Sequence, residues 1–400
     1  MRRATQSRQG RALTLVAVAA LAWLCVWSAA ARAADRAACA PPVAGADWPV
    51  VPPEAADFDA AALCAVLEEA AASKANLHGL LVERRGRLVA ELYRTGHDDP
   101  IDVHYGLRDW FAPDVAFGPD ALHDVRSISK SVVSLVLGIA REEGKLADLS
   151  TPALDFFPEL ADLRTDGRAG VTLEHLLTMS SGLDWKEWGR GVLASDETRL
   201  FWKSDLARFV FDRKLAASPG ARFNYNGGST ATLAELLARA GGKPLLERVR
   251  ADLFEPLGIA HWTWARDLRG RPIAYAGLRL RPRDLLKLGR LALDGGRWRG
   301  RQIVPEAWLR ESLRAHVGTG MKFVTSEDEV GYGYQWWTGR VPWRGRALGW
   351  SAGVGNGGQR LFIVPELDLV VVTTAGEYGS PQIGEVVGRL FAKVVAAARE

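Results

Sequence analysis

A serine and a lysine stand three positions apart at Ser127 and Lys130, directly before an apolar run. Side chains with this spacing share one face of a helix, so a helix that begins near Ser127 would place the lysine amine beside the serine hydroxyl. The backbone amides of a first helical turn have no partner within the helix. An acyl-transfer enzyme needs these things together: a hydroxyl nucleophile, a base within reach and N–H donors for an oxyanion.

The run that follows Lys130 predicts that this helix is buried. Its apolar residues cover nearly all sides of a helix: Val132, Val133, Leu135, Val136, Leu137, Ile139 and Ala140. In a chain of 400 residues, about one or two Ser-x-x-Lys matches are expected by chance, so the motif alone also fits a helix with a surface lysine. A lysine at the start of a buried helix needs a reason, and this favours the chemical interpretation.

The first 33 residues have the pattern of a secretory signal. Basic residues precede the apolar run 12–31, and Ala31-Arg32-Ala33 fits a small-x-small cleavage site. We expect a signal peptide over 1–33, a lead-in with a first helix over 34–75 and one domain over 76–400. The expected location is the periplasm or the extracellular space, with no stable membrane span after cleavage. Because the apolar run is long for a signal, a retained N-terminal membrane anchor is the alternative.

Composition places limits on partners and compartment. The chain has 48% hydrophobic residues, which is enough for a large core and excludes a disordered protein. Without residues 1–33 it has 46 basic against 47 acidic residues, a net charge near −1. We therefore expect neither nucleic acid nor an anionic membrane surface as a partner. Cys39 and Cys64 would remain, as a disulfide in an oxidising compartment or as two free thiols.

Strand patterns occur near both ends of the chain, and helix patterns dominate the middle. A hairpin is predicted over 79–83 and 88–93, and the same pattern returns at 360–364 and 369–374. The predicted helices are 60–72, 173–179, 230–240, 283–293 and 383–398. These patterns indicate an α+β fold in which both chain ends build one antiparallel sheet, flanked by helices, with a mainly helical middle region.

Four segments resemble, in order and spacing, the motifs of the serine β-lactamase and penicillin-binding-protein superfamily. The similarity covers roughly residues 76 to 395 and looks most like the branch of class C β-lactamase-related esterases and 6-aminohexanoate-dimer hydrolases. It implies a β-lactamase/transpeptidase-like fold and a serine hydrolase. The segments are Val125-Arg-Ser-Ile-Ser-Lys-Ser131, Val171-Thr-Leu-Glu-His-Leu-Leu-Thr-Met-Ser-Ser-Gly-Leu183, Pro219-Gly-Ala-Arg-Phe-Asn-Tyr-Asn-Gly228 and Gly355-Asn-Gly-Gly-Gln-Arg-Leu-Phe-Ile-Val-Pro-Glu-Leu-Asp368.

The resemblance implies roles for three catalytic residues. Ser127 would be the acylated nucleophile and Lys130 the neighbour that activates it. Tyr225 matches the tyrosine of the Tyr-x-Asn motif and would carry protons between nucleophile and leaving group, as base and then as acid. The chain departs from this motif, because its third position is Gly227 and an asparagine, Asn226, stands in the middle. Asn226 could hold the lysine and a substrate amide only with a shifted backbone.

The last motif of the superfamily, Lys-Thr-Gly or His-x-Gly on an edge strand, is replaced by the sequence from Gly355 to Gln359. This sequence resembles the Gly-x-x-Gly-Gln variant of the dimer-hydrolase branch. The backbone amides of Ser127 and Asn356 are the candidates for an oxyanion hole, and Gly357 and Gly358 would let a substrate lie against the strand backbone. A glycine-rich turn between strands is the structural alternative.

Other reaction classes have weaker support in the sequence. Residues 349–353 form a Gly-x-Ser-x-Gly match, but an α/β-hydrolase needs a histidine after its serine, and the last histidine is His316. The histidines are scattered and no zinc or dinucleotide motif is present, so we expect neither a metal nor a cofactor. Of the 15 tryptophans, we expect one or two to contact a hydrophobic acyl or alkyl group of the substrate.

These observations predict an exported serine hydrolase that cleaves an ester or amide through an acyl-enzyme on Ser127. The substrate would be a small molecule or a peptide. Alternatives within the same chemistry are a D-alanyl-D-alanine carboxypeptidase, another penicillin-binding role and a β-lactamase. A different class is a non-catalytic binding or sensor protein that uses the same cleft.

Overall fold

The computed structural model describes residues 39–45, 48–101, 113–188, 194–324 and 329–400. The predicted signal peptide and the alternative membrane anchor, residues 1–33, lie outside the described residues. Within the described parts of the chain, no helix has both the length and the apolar composition that a membrane span requires.

As predicted, the strands of the main sheet lie toward the two ends of the chain, and helices dominate the middle. The helices are α1 Ala60–Ala72, α2 Ile128–Glu142, α3 Leu173–Leu177, α4 Asp196–Leu200, α5 Leu206–Phe211, α6 Gly227–Gly241, α7 Leu245–Arg248, α8 Glu255–Leu257, α9 Pro282–Leu293, α10 Glu306–Ser312 and α11 Pro381–Ala397. The strands are β1 Leu77–Arg84, β2 Arg87–Tyr93, β3 Thr95–Gly96, β4 Val115–Ala116, β5 His123–Asp124, β6 Trp262–Trp264, β7 Leu278–Leu280, β8 Arg297–Trp298, β9 Arg301–Gln302, β10 Val317–Gly318, β11 Gly331–Tyr332, β12 Trp337–Trp343, β13 Arg346–Gly355, β14 Gln359–Val364 and β15 Leu369–Ala375.

The main sheet joins the two ends of the chain, which confirms the predicted α+β architecture. Within the described residues it has eight strands in the order β10-β11-β12-β13-β14-β15-β1-β2. The first and last strands in sequence meet where β1 pairs antiparallel with β15, for example Leu81 opposite Val372. Because this pairing is between residues almost 300 positions apart, the folded domain needs both ends of the chain.

Both faces of the sheet are covered by helices. All eight residues of β1 are buried, as expected for a strand with packed layers on both sides. Helix α9 lies against β1, β14 and β15 on one face, and α1 packs with α11 on the other. Two hydrophobic cores result, one on each side of the sheet. The larger core continues into the helical middle region and surrounds α2.

The lead-in and the C-terminus are fastened to the sheet by buried polar contacts. The guanidinium of Arg84 donates hydrogen bonds to the backbone carbonyls of Ala56, Asp57, Leu367 and Arg399. These bonds satisfy a buried cation without a carboxylate partner at close range, and they connect three distant parts of the chain. Cys39 and Cys64 form a disulfide with a Cα–Cα distance of 5.2 Å, so the lead-in is also bound covalently to α1.

Predicted and observed helices differ by up to three residues at their ends, and two of these differences have a structural reason. Thr172 caps α3 as predicted and forms a capping box with His175, but the helix ends at Leu177 rather than at 179. Met179 instead adopts a left-handed conformation with φ 57°. Helix α6 begins at Gly227, three residues before the predicted start, because Asn226 caps it with a hydrogen bond from the amide of Ser229.

Candidate active site

Ser127 stands at the N-terminus of the buried helix α2. Arg126, directly before it, has a left-handed backbone with φ 50° and turns the chain sharply into the helix. The amide of Arg126 donates to Oδ1 of Asp124 at 2.9 Å, which fixes this turn. The carbonyl of Ser127 then accepts the amide of Lys130 at 3.0 Å, so the serine begins the helix while its side chain stays at the open end.

The Lys130 amine lies within hydrogen-bonding distance of the candidate nucleophile. Its Nζ donates to Oγ of Ser127 at 2.9 Å and to the backbone carbonyl of Tyr275 at 2.9 Å. Lys130 is 1% exposed, so these contacts are made almost without water. The spacing of three residues thus places amine and hydroxyl together, as the sequence predicts.

Tyr225 lies in the same cluster, although it is almost one hundred positions away in sequence. The Lys130 Nζ lies 4.8 Å from the centroid of the Tyr225 ring. Burial raises the pKa of Tyr225 well above its usual value, and the nearby Glu187 carboxyl raises it further, while the neighbouring Ser127 side chain lowers it. At neutral pH the side chain is therefore a neutral phenol that can give a proton.

The structure explains why the chain departs from the Tyr-x-Asn motif at Asn226 and Gly227. Asn226 is fully buried, and its Oδ1 accepts the amide of Ser229 as the cap of α6. A Cβ at Gly227 would lie 2.8 Å from Oε2 of Glu197 and 3.3 Å from Oε1 of Glu187. The space of a side chain at position 227 is thus occupied by two carboxyl groups. A contact between Asn226 and substrate stays a prediction, and its oxygen already has a structural role.

Glu187 and Glu197 are site residues that the sequence analysis missed. Glu187 is buried, and its Oε2 accepts the indole N–H of Trp185 at 2.7 Å and the amide of Gly227 at 2.8 Å. Its Oε1 lies 3.7 Å from Nζ of Lys130, and Oε2 of Glu197 lies 3.5 Å from the same nitrogen. Burial raises the pKa of Glu187 well above its usual value, and Glu197 adds to this rise, whereas Lys130 and the Gly227 amide oppose it.

A signal for Glu187 was present in the sequence. It follows the Ser-Ser-Gly turn closely and stands between Trp185 and Trp188, an apolar setting for an acid. Glu197 offers no such signal, because it lies in a polar run and reaches the lysine only through the fold.

The turn that carries Asn356 lies against the segment that leads into Ser127. A Cβ at Gly355 would overlap the carbonyl oxygen of Val125, so glycine is needed for this close approach. The turn connects β13 to β14 inside the sheet rather than on an edge strand, which corrects the location expected from the resemblance. Asn356 is exposed, and its Oδ1 accepts the amide of Gly379 at 2.9 Å.

The backbone conformation and the neighbouring side chains require glycine at Gly357 and Gly358. Both have left-handed backbones, with φ 84° and φ 98°. A Cβ at Gly357 would overlap the ring of Tyr378, and one at Gly358 would lie 2.6 Å from Cγ1 of Ile383. The turn conformation and these contacts are sufficient to require glycine at the two positions, and a contact with substrate stays a prediction.

An aromatic cluster forms one wall of the site around Tyr225. Its ring contacts those of Trp188, Phe223, Tyr332 and Trp337, with centroid distances between 5.6 and 6.3 Å. Trp188 is 66% exposed, whereas Tyr332 and Trp337 are buried. Two of the tryptophans thus contact the candidate proton donor, and one of them presents its ring to solvent.

Possible metal ligands gather at one place in the described part of the chain. Cys39, Cys64 and Glu68 bring their ligand atoms within 4.8 Å of one another. The two sulfurs are joined in the disulfide and do not offer thiolates. This cluster therefore has the donors for a covalent bridge and not for a zinc site.

Helices on both faces of an antiparallel sheet, with a serine at the N-terminus of the central buried helix, define the β-lactamase/transpeptidase-like fold. The Beta-lactamase family model matches residues 76–389, so the chain belongs to the β-lactamase family. This confirms the resemblance that the four motifs indicate.

Several characterised proteins are similar to this chain. The 6-aminohexanoate-dimer hydrolase of Paenarthrobacter ureafaciens is 27% identical over 304 residues, which are 73% of this chain and 70% of the relative. The octameric penicillin-binding protein homologue from Pyrococcus abyssi has a TM-score of 0.60 and 21% identity, over 84% of this chain and 76% of its own. The D-amino acid amidase from Ochrobactrum anthropi SV3 has a TM-score of 0.61 and 16% identity, over 84% and 97%. The two structures show a shared fold.

Proposed function

We propose that the protein is an exported serine hydrolase that cleaves an ester or amide through an acyl-enzyme on Ser127. The observation that carries this proposal is the convergence of a hydroxyl, an amine and a phenol. The amine of Lys130 contacts Oγ of Ser127 at 2.9 Å, and the same amine lies 4.8 Å from the ring centroid of Tyr225. A nucleophile with a base and an acid in contact is what two-step acyl transfer requires.

The proposed reaction begins when Oγ of Ser127 attacks the carbonyl carbon of the substrate. The hydroxyl proton passes to the amine of Lys130 in its neutral form, and the negative charge moves to the carbonyl oxygen. The amides of Ser127 and Asn356 are the proposed donors to this oxyanion, because the close approach of Gly355 to Val125 brings the two segments together. Collapse of the intermediate breaks the bond to the leaving group.

Tyr225 is the proposed proton donor to the leaving group. Its raised pKa supports this role, because a phenol that stays neutral at pH 7 holds the proton that a departing alkoxide or amine needs. In the second half of the reaction, water attacks the acyl-enzyme and the same groups act in reverse order. The role as initial base, which the resemblance implies for Tyr225, passes in this proposal to Lys130.

The aromatic wall supports a substrate with a hydrophobic acyl or alkyl part. Trp188 presents an exposed ring next to Tyr225, and a chain of methylene groups would cover it. The relative from Paenarthrobacter ureafaciens is named for hydrolysis of the 6-aminohexanoate dimer. We therefore include linear amides among the proposed substrates, next to esters.

Export is the second part of the proposal. The disulfide between Cys39 and Cys64 supports it, because such bonds persist in oxidising compartments and are rare in the cytosol. The N-terminal signal pattern, residues 1–33, is independent support from the sequence. Fractionation of cells that express the full-length protein tests this part, and a cytosolic protein with residues 1–33 still attached would contradict it.

The test of the activity is labelling with a fluorophosphonate followed by peptide mapping. We expect an adduct on Ser127 in the wild type and none in Ser127→Ala, which should keep its melting temperature because a small residue replaces a small one. A substrate panel then separates the alternatives: short-chain esters, a linear amide, a D-alanyl dipeptide and a chromogenic cephalosporin. An unlabelled Ser127 together with no turnover would favour a binding or sensor protein. Turnover of the D-alanyl dipeptide or the cephalosporin alone would favour a cell-wall enzyme or a β-lactamase.

A further inference from the structure

The Lys130 amine faces a carboxyl pair on the side opposite the nucleophile. Glu187 and Glu197 place one oxygen each at 3.7 and 3.5 Å from Nζ. A Cβ at Gly227 would lie 2.8 Å from the Glu197 oxygen and 3.3 Å from the Glu187 oxygen, so the two carboxyl groups are neighbours, and neighbouring buried carboxyls favour one shared proton over two negative charges. Among the described residues, Oε1 of Glu187 has no hydrogen-bond partner, and it is buried 3.7 Å from Nζ of Lys130.

The proposed function requires Lys130 to lose a proton before it can act as a base, and it does not name the acceptor of that proton. The carboxyl groups of Glu187 and Glu197 lie close enough to accept it. A lysine side chain is an ammonium group in water at neutral pH, and Nζ of Lys130 contacts Oγ of Ser127 and the carbonyl of Tyr275. An ammonium cannot accept the proton of Ser127, so Lys130 must first lose one of its own. The carbonyl of Tyr275 cannot take that proton at neutral pH. Among the described residues, Glu187 and Glu197 are the carboxyl groups with an oxygen within 4 Å of Nζ.

We propose that Glu187 and Glu197 act as one proton-sharing pair that accepts a proton from Lys130 and thereby makes the amine that activates Ser127. The pair occupies the space that the missing side chain at Gly227 leaves open. This inference rests on the proposed function. It assigns the carboxyl pair a positioning role: the pair stores a proton and acts through Lys130 rather than on the substrate.

The protons balance over one acylation. The pair starts with one proton and one negative charge, and Lys130 starts as an ammonium. Transfer of a proton from Lys130 to the pair gives two neutral carboxyls and an amine, and the amine then takes the proton of Ser127 as Oγ bonds to the carbonyl carbon. Tyr225 protonates the leaving group as the scissile bond breaks. Lys130 restores the phenol, and the pair returns its extra proton to Lys130.

Besides Tyr225 and Tyr275, whose ring centroids lie 4.8 and 6.0 Å from Nζ of Lys130, the cluster faces the titratable side chain of Tyr332. Its pKa is raised well above the usual value, first by burial and then by Tyr225. It therefore stays neutral through the range in which carboxyl groups titrate and does not compete with the pair for a proton.

The test uses three variants of the full-length enzyme: Glu187→Gln, Glu197→Gln and the double variant. Glutamine at 187 can keep the two bonds that Oε2 accepts from Trp185 and Gly227, so it removes the proton acceptor without removing the local structure. Asp196→Asn is the matched control, because Asp196 is a buried acid in the same segment that pairs with Arg199 and Arg213 instead of Lys130.

Each single variant retains one carboxylate beside Lys130, so we expect kcat/KM for an ester to fall by about tenfold or less at pH 7. The double variant retains none, and we expect a fall of about 10²- to 10⁴-fold, more than the product of the single effects. We expect the lost rate to return as the pH is raised, because Lys130 can then release its proton to solvent. Asp196→Asn should keep the pH profile of the wild type.

Two results would overturn the inference. One is a double variant whose loss equals the product of the single losses. The other is a loss of the same size at every pH, which is what a purely structural role predicts. If the double variant does not fold, infrared difference spectra decide: wild type minus each single variant at neutral pH should show a protonated carboxyl band, because the contribution of Glu83 is common to all three proteins and cancels. Fluorophosphonate labelling of Ser127 in the wild type separates these results from a failure of the proposed function itself.

Discussion

The ring of Trp188 lies parallel to the ring of Tyr225, with an interplanar angle of 3° and a centroid distance of 5.6 Å. One face of the tryptophan covers the candidate proton donor, and 66% of the residue is exposed to solvent. An exposed aromatic surface in contact with a buried catalytic group is a place where a substrate can gain apolar contact as it approaches the chemistry. Trp188 is thus a candidate specificity residue.

Trp188→Ala should weaken the binding of esters with a long apolar acyl chain. We expect KM for such esters to rise roughly three- to tenfold, which corresponds to one aromatic contact, with a smaller effect on acetyl esters. Trp202→Ala is the control, since Trp202 is an exposed tryptophan that contacts Phe201 edge-on. Equal effects of Trp188→Ala on short and long esters would contradict a role in substrate selection.

Tyr225→Phe should lower turnover by about 10²- to 10⁴-fold, the usual contribution of general acid-base catalysis. The variant can keep the ring contacts with Trp188 and Trp337 and removes the hydroxyl group that carries the proton. Because burial raises the pKa of Tyr225 well above its usual value, ionisation of this phenol should cause no alkaline loss of wild-type activity below about pH 10. Full activity of Tyr225→Phe would leave Lys130 as the group that serves both steps.

Local sequence spacing was sufficient to predict the core of the candidate site. A helix fixes the geometry between positions three apart, so the contact between Ser127 and Lys130 follows from the sequence once the helix is recognised. Tyr225 required a motif match, because its position depends on packing between distant segments. The sheet was also predictable, because strands predicted at both ends of the chain can bury their apolar faces by pairing in one sheet.

The remaining parts of the site depend on burial, which a single sequence does not display. Glu197 looks like an ordinary surface acid, and the apolar setting of Glu187 does not reveal its partner, until the fold brings both to Lys130. The glycine-rich character of the 355–358 turn was recognised from the sequence. The contacts with Tyr378 and Ile383 that require glycine were not, because they form only in the folded domain. Spacing predicts contacts within an element, and tertiary packing decides the contacts between elements.

Gly355→Ala should damage catalysis more than stability. The added methyl group would overlap the carbonyl oxygen of Val125, two residues before Ser127, and would push the Asn356 turn away from the nucleophile. We expect kcat to fall by about 10- to 10²-fold, as for other small displacements of catalytic groups. Gly349→Ala on the same strand is the control, because its Cβ would meet Glu366 at an ordinary 3.6 Å. Similar kcat values in both variants would remove Asn356 from the proposed oxyanion hole.

Glu83→Gln should change the pH dependence of stability. Burial raises the pKa of Glu83 from 4.5 to about 7, although Arg290 opposes the rise. Between these pH values the folded chain holds a proton that the unfolded chain releases, so the stabilisation is complete below pH 4.5 and is lost as the pH rises through 7. Glutamine is neutral at every pH. Relative to the wild type, the variant should therefore gain roughly 3 kcal/mol in free energy of unfolding between pH 4.5 and 8.

Urea unfolding of both proteins across this pH range measures the difference. Glu385→Gln on α11 is the control, because this side chain is 62% exposed and pairs only with Arg389 in an i,i+4 contact. The difference in free energy of unfolding between Glu385→Gln and the wild type should not change with pH. A Glu83→Gln difference that is also flat would show that the buried carboxyl is neutral, or ionised, at both ends of the range.

The disulfide between Cys39 and Cys64 should contribute to stability and leave turnover unchanged. It closes a loop with a sequence separation of 25, for which restriction of the unfolded chain gives roughly 3 kcal/mol. The bridge joins the lead-in to α1, which packs on α11 and β1 rather than on α2. We therefore expect Cys39→Ala/Cys64→Ala to unfold at lower urea concentration with an unchanged kcat.

Reduction is the control for this prediction. Dithiothreitol should lower the urea midpoint of the wild type to that of the variant and leave the midpoint of the variant unchanged. A wild-type midpoint that does not respond to the reductant would mean that the bridge stabilises the folded chain no more than two packed thiols do.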